Sequence, residues 1–115
     1  MKKSNEPFWW ALFGAGGVMS AFFIPVLLLL FGLAFPLGWL RQPTPGELQD
    51  LMAMPIVKLF LFVVIFLSLF HWAHRFRFTL YDGLQVKHLN HLIALICYGG
   101  ALAGTITAGW VIFLQ

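Results

Sequence analysis

In the second half of the chain, a short stretch has the residue types and spacing of a binding face. His71, His74, Arg75 and Phe78 fall at i, i+3, i+4 and i+7, so a helix carries them on one side. Polar groups held at the edge of a membrane can bind an amphipathic ligand such as a quinone headgroup. Arginine suits that task, because it donates to a carbonyl oxygen and never loses its charge. The same residues also fit a plainer role, as the positive charge that flanks a membrane helix on its cytoplasmic side. Paired histidines in membrane helices raise the question of haem, which needs one imidazole on each face of the macrocycle. His71 and His74 are neighbours on one helix and do not meet that requirement together. A His71–His91 pair stays open on geometry, but haem ligation by this chain is not expected.

No other catalytic constellation is present. There is no serine–histidine–acid set, no phosphate loop and no carboxylate pair within the long apolar stretches. Asp82 is the only acid near the histidine stretch. Self-sufficient catalysis is therefore not expected. Cys97 is the only cysteine, so no internal disulfide forms and no metal spacing exists. Its apolar surroundings mark it as a small buried hydrophobe.

The elements that must position these residues follow from composition. Of the 115 residues, 61% are hydrophobic and 10% charged, against about 45–50% and about 25% in a soluble domain. A chain this small has too much surface to hide that excess in water. The net charge of +3 does not point to nucleic acid, because the basic residues flank apolar segments and form no patch. Three stretches lack charge: Pro7 to Leu40, Leu59 to His74 (extended backwards past Lys58), and Leu92 to Gln115. Each reaches the roughly 20 residues that a helix needs to cross a bilayer core. The expectation is an all-α membrane protein, a single domain over 1–115 with transmembrane helices at roughly 18–40, 55–78 and 89–114. Gly14, Gly16 and Gly17 punctuate the first stretch, which would leave Phe8 to Phe13 along the interface. Pro25 should kink the first span, and Pro36 and Gly38 weaken its end. The polar run from Arg41 is a loop in which Glu47 to Met54 can add a helical turn, and Pro55 suits the first turn of the second span. Tyr81-Asp82-Gly83 signals the second turn. Lys2 and Lys3 precede an apolar run too long for a cleavable signal peptide.

Lys2, Lys3, Arg75, Arg77 and Lys87 lie on one side of these spans, with Arg41 and Lys58 on the other. This asymmetry places the N-terminus in the cytoplasm and the C-terminus outside. Trp9 and Trp10 fit the interfacial aromatic belt. On the third span Gly100, Gly104 and Ala108 form one row of small residues, and Ala101, Thr105 and Gly109 a parallel one. Such rows let helix backbones approach closely in lipid.

The opening Glu6-Pro7-Phe8-Trp9-Trp10-Ala11-Leu12-Phe13-Gly14-Ala15-Gly16-Gly17 resembles the N-terminus of the bacterial fumarate reductase D subunit, as do Ser20-Ala21 and Pro25 after it. His74-Arg75 followed by Asp82 is similar to the end of that family's second helix. The resemblance spans the chain in length and three-helix layout, and the third helix matches in character only. It implies a non-catalytic membrane anchor in the bacterial inner membrane. Such an anchor pairs with a second three-helix anchor, the C-type one, and holds an iron–sulfur subunit and a flavoprotein subunit on the cytoplasmic face. Electrons would pass from menaquinol, bound at the subunit interface, to the clusters, to FAD and to fumarate in anaerobic respiration. Flavin and clusters would belong to the partners, and this type of anchor lacks haem. By the same resemblance Trp10 and Arg75 contribute to the quinol site, with His74 beside them. This chain offers His71 one turn earlier, and it carries Arg77 and Phe78 where the family has further histidines. A succinate dehydrogenase anchor with haem, or a purely structural subunit, are the alternatives. A proton-coupled transporter would carry an acid inside a span, and none does.

Overall fold

The computed structural model describes residues 3–115. Lys2, one of the cytoplasmic charges expected from the sequence, lies outside the described residues. Among the described residues there is no strand. Helix α1 spans Glu6–Leu29 and passes directly into a π-helical turn at Leu30–Ala34. It starts well before residue 18, so Phe8 to Phe13 belong to the helix and are not a separate interfacial segment. Two effects compete here. Glycine disfavours a helix by about 1 kcal/mol relative to alanine. An unsatisfied backbone group in hydrocarbon costs several kcal/mol, so the helix continues through the glycines. Pro7 sits in the first turn, where its missing N–H is no loss.

Pro25 lies inside α1, and the helix runs on beyond it. In the widened turn that follows, the Phe35 N–H donates to the Leu30 carbonyl over 2.9 Å. Gly38 then takes a φ of +75°, a conformation that side chains resist. With it, the Trp39 N–H reaches back to the Ala34 carbonyl at 2.9 Å, and the helix ends.

The polar loop holds a short helix, α2, at Pro45–Ala53. Its start is a capping box. The Glu47 N–H donates to Thr44 Oγ1 at 3.2 Å, and the Thr44 N–H donates to the Glu47 carboxylate at 2.8 Å. Arg41 grips the same carboxylate with both guanidinium nitrogens, at 3.0 and 2.7 Å. The Arg41 hydrogen bond, seconded by the Thr44 backbone, holds the Glu47 carboxyl down at about 2.

Helix α3 spans Pro55–Gly83, and α4 spans Asn90–Leu114 after a 3-10 turn at Lys87–Leu89. The second turn falls later than Tyr81-Asp82-Gly83 suggests. Those residues finish α3, and Gln85 rather than Gly83 takes the left-handed conformation, with φ of 54°. Helices α1, α3 and α4 are all long and apolar enough to cross a membrane.

Helix α3 is the centre of the bundle. Both α1 and α4 pack against it and not against each other. Little is therefore enclosed. The buried apolar residues are Ala34, Leu67, Ala73, Ile93, Cys97, Ala101 and Ile112, while Phe22, Leu28, Leu95 and Ile106 face outward. Lipid is the solvent that suits such an exterior. The α3–α4 seam centres on Ala73, Ile93, Cys97 and Ala101. Small residues on α4 do serve close packing, but the rows divide. Ala101 is fully buried, and a Cβ on Gly104 would lie 2.9 Å from Leu69 Cδ1. Gly100 has nothing within 4 Å and faces away from the bundle.

The α1–α3 crossing is tighter. Gly16 is buried, and a Cβ there would overlap the Leu67 carbonyl oxygen. One turn further on, Ser20 Oγ donates to Ser68 Oγ at 2.8 Å. A bond of this kind within a membrane contributes about 0.6 kcal/mol on average.

Candidate functional site

The close crossing at Gly16 sets the geometry of the histidine layer. With no side chain on Gly17, the His71 ring lies where a Cβ would stand, its Cε1 at 2.8 Å from that point. The ring stacks on Phe13, with centroids 4.3 Å apart and planes at 18°. His71 Nδ1–H donates to the Phe13 carbonyl over 3.0 Å. A carbonyl only accepts, so this bond assigns the proton of neutral His71 to Nδ1 and leaves Nε2 as the acceptor.

His74 is one turn on, turned between the two flanking helices. On the α1 side its ring meets Phe13 edgewise at 4.8 Å and Trp10 at 6.4 Å. Phe78 closes the next turn at 5.0 Å. On the α4 side, His74 Nδ1 and the Tyr98 hydroxyl are 2.9 Å apart. The structure thus brings Trp10, His71 and His74 to one end of the bundle. That end is built from the start of α1, the second half of α3 and the first half of α4.

Arg75 is placed differently. Its side chain is exposed, and among the described residues its guanidinium makes no hydrogen bond or ion pair. It follows His71 by one turn, so it borders the layer on the flank that neither α1 nor α4 covers. The arginine that the bundle does engage is Arg77. Its Nη2 donates to Asn90 Oδ1 at 3.0 Å, and its guanidinium lies over the rings of Phe78 at 5.4 Å and Tyr98 at 5.6 Å. Its Nε is buried without a partner.

Sequence reading missed Tyr98, Asn90 and the inward role of Arg77. Tyr98 is the only hydroxyl-bearing aromatic of the third span, which was a signal of a polar tip needing a partner. His88 and His91 lie exposed near the start of α4. Among the described residues no cluster of three His, Cys, Asp or Glu side chains could hold a metal ion.

The family model for the fumarate reductase D subunit matches residues 1–113. The chain belongs to that family. It is 55% identical over 111 residues to the fumarate reductase D subunit of Mycobacterium tuberculosis, covering 96% of this chain and 89% of the relative. The Mycobacterium bovis protein of the same name matches equally, at 55% over 111 residues, with the same 96% and 89% coverage. The corresponding protein of Shewanella putrefaciens is 37% identical over 117 residues, covering 99% of this chain and 95% of the relative. Family and architecture together make the chain a multi-pass membrane subunit of fumarate reductase. The resemblance drawn from the Glu6-to-Gly17 opening is therefore correct, and it favours fumarate reductase over succinate dehydrogenase.

Proposed function

We propose that the chain is a non-catalytic anchor of a quinol–fumarate reductase in the inner membrane, and that its histidine layer forms part of the menaquinol site. The family match over nearly the whole length carries the anchor reading. The partners are the iron–sulfur and flavoprotein subunits on the cytoplasmic face and a second three-helix anchor of the C type. FAD and iron–sulfur clusters reside in those partners. The meeting of Trp10 with His74 across the α1–α3 crossing supports the site reading.

Each side chain then has a task. Oxidising a quinol releases two electrons, taken up by the iron–sulfur subunit, and two protons. Arg75 donates to the quinol oxygen as negative charge grows there. Being fixed as a cation, it is not the base. His74 accepts the first proton at Nε2, since Nδ1 is engaged with Tyr98. Trp10 forms a wall against the ring of the headgroup. No haem is expected, because His71 and His74 rise from neighbouring turns of one helix and do not take opposite faces of one macrocycle.

Two measurements test this. Detergent purification on a tag carried by this chain should recover flavoprotein, iron–sulfur subunit and a second anchor, identified by mass, with no haem absorption band. A chain recovered without the flavoprotein sinks the proposal. For orientation, Lys3, Arg75, Arg77 and Lys87 share the histidine end of the bundle, which favours a cytoplasmic N-terminus. Alkaline phosphatase fused after Gln115 should be active, and a fluorescent protein there should be dark. The reverse result would put the site on the wrong side of the membrane.

A further inference from the structure

We infer that Tyr98 is a positioning residue for the quinol site, holding His74 through its Nδ1 so that Nε2 faces the substrate; the inference rests on the site proposed above. The observation is a relay that crosses from α4 to α3. Asn90 Oδ1 accepts from Arg77, at 3.0 Å, and the Arg77 guanidinium covers the Tyr98 ring at 5.6 Å. The Tyr98 hydroxyl in turn meets His74 Nδ1 at 2.9 Å. Asn90 and Arg77 brace the tyrosine, and the tyrosine braces the histidine. On its other side the His74 ring is walled by Phe13, Phe78 and Trp10. No protein group bonds Nε2 among the described residues.

The chemistry of a phenol suits this post. A hydroxyl both donates and accepts, so it serves either form of the imidazole. When Nδ1–H donates to the Tyr98 oxygen, Nε2 carries the lone pair that takes a proton from a quinol hydroxyl. After that transfer the imidazolium still donates Nδ1–H to the same oxygen. The bond therefore persists while the ring gains the proton, and the two electrons leave separately to the partner's iron–sulfur clusters. A histidine turning freely would present Nε2 for only part of the time. The two ring nitrogens are distinct, and the partner of one decides what the other offers.

The test uses the assembled complex. Tyr98→Phe removes the hydroxyl and keeps the ring under Arg77. Quinol-driven fumarate reduction should fall by about 10-fold in kcat, the loss typical when an outer partner that orients a functional histidine is removed. KM should stay unchanged, because the lost interaction acts on proton transfer and not on binding. Fumarate reduction driven by a reduced viologen dye, which feeds the soluble subunits, should be unaffected. In a His74→Ala background, Tyr98→Phe should cost nothing further. A wild-type kcat for Tyr98→Phe, in a complex that His74→Ala does impair, overturns the inference and leaves the site intact. An equal loss in the His74→Ala background also overturns it, since Tyr98 would then act on packing alone. A wild-type rate for His74→Ala overturns both the site and the inference.

Discussion

Replacing Arg75 with leucine is expected to cut quinol oxidation by the assembled complex by about 10- to 1000-fold, as when other charge-stabilising donors are lost. The expectation rests on where the guanidinium stands. It is exposed, carries no partner among the described residues, and follows His71 by one helical turn. There a quinol headgroup can enter from lipid and still approach a soluble subunit at the membrane surface. A cation beside the quinol oxygen stabilises the charge that appears as the proton leaves, most strongly where water is excluded. Arg75→Lys should be intermediate, because it keeps the charge and loses the planar fork. Dye-driven fumarate reduction should survive in both variants, since it bypasses the anchor. Two outcomes are separable. If Arg75→Leu assembles normally and oxidises quinol at the wild-type rate, Arg75 is a topology signal and nothing more. If assembly itself fails, the arginine belongs to a subunit contact.

The fold was legible in the sequence where a single physical limit decides it. A charge-free run of membrane-crossing length has few alternatives to a span, and three such runs became α1, α3 and α4. Boundaries were less legible. Gly14, Gly16 and Gly17 read as a break, because their cost to a helix is local and visible. What offsets it is the cost of unpaired backbone in lipid and the approach to Leu67, and the second depends on a helix far along the chain. The helix phases of α4 had the same difficulty. Gly100 and Gly104 are equivalent in the sequence, yet only Gly104 meets Leu69. For the candidate site, His71 and His74 stood out through their spacing and Trp10 through its motif. Tyr98 did not, because its partner is 24 residues away and on another helix. Arg77 read as a flanking charge, and its bond to Asn90 depends on how the second turn closes.

Of the glycines, Gly16 leaves the least room for a side chain, and it carries the largest structural prediction. Gly16→Ala adds one methyl group where the Leu67 carbonyl oxygen already stands, with His71 Cβ at 2.8 Å from the new atom. Neither neighbour can give way. The carbonyl belongs to the backbone of α3, and a Cβ moves only with its helix. Alanine would gain about 1 kcal/mol over glycine in helix propensity. Overpacking costs about 1–3 kcal/mol, and more where backbone must shift, so the loss wins. The complex should melt at a lower temperature in detergent. Quinol oxidation should fall with it, because displacing α1 from α3 separates Phe13 and Trp10 from the histidines. Gly104→Ala provides the contrast. Its methyl group would meet Leu69 Cδ1 at 2.9 Å, the far end of a side chain that can rotate away. There the gain in propensity and the packing cost nearly cancel, and the melting temperature should move little. The larger Gly104→Leu exceeds what Leu69 can yield and should destabilise the complex. Wild-type melting for Gly16→Ala would mean that α1 and α3 do not cross at Gly16, and the geometry of the histidine layer would fall with that contact.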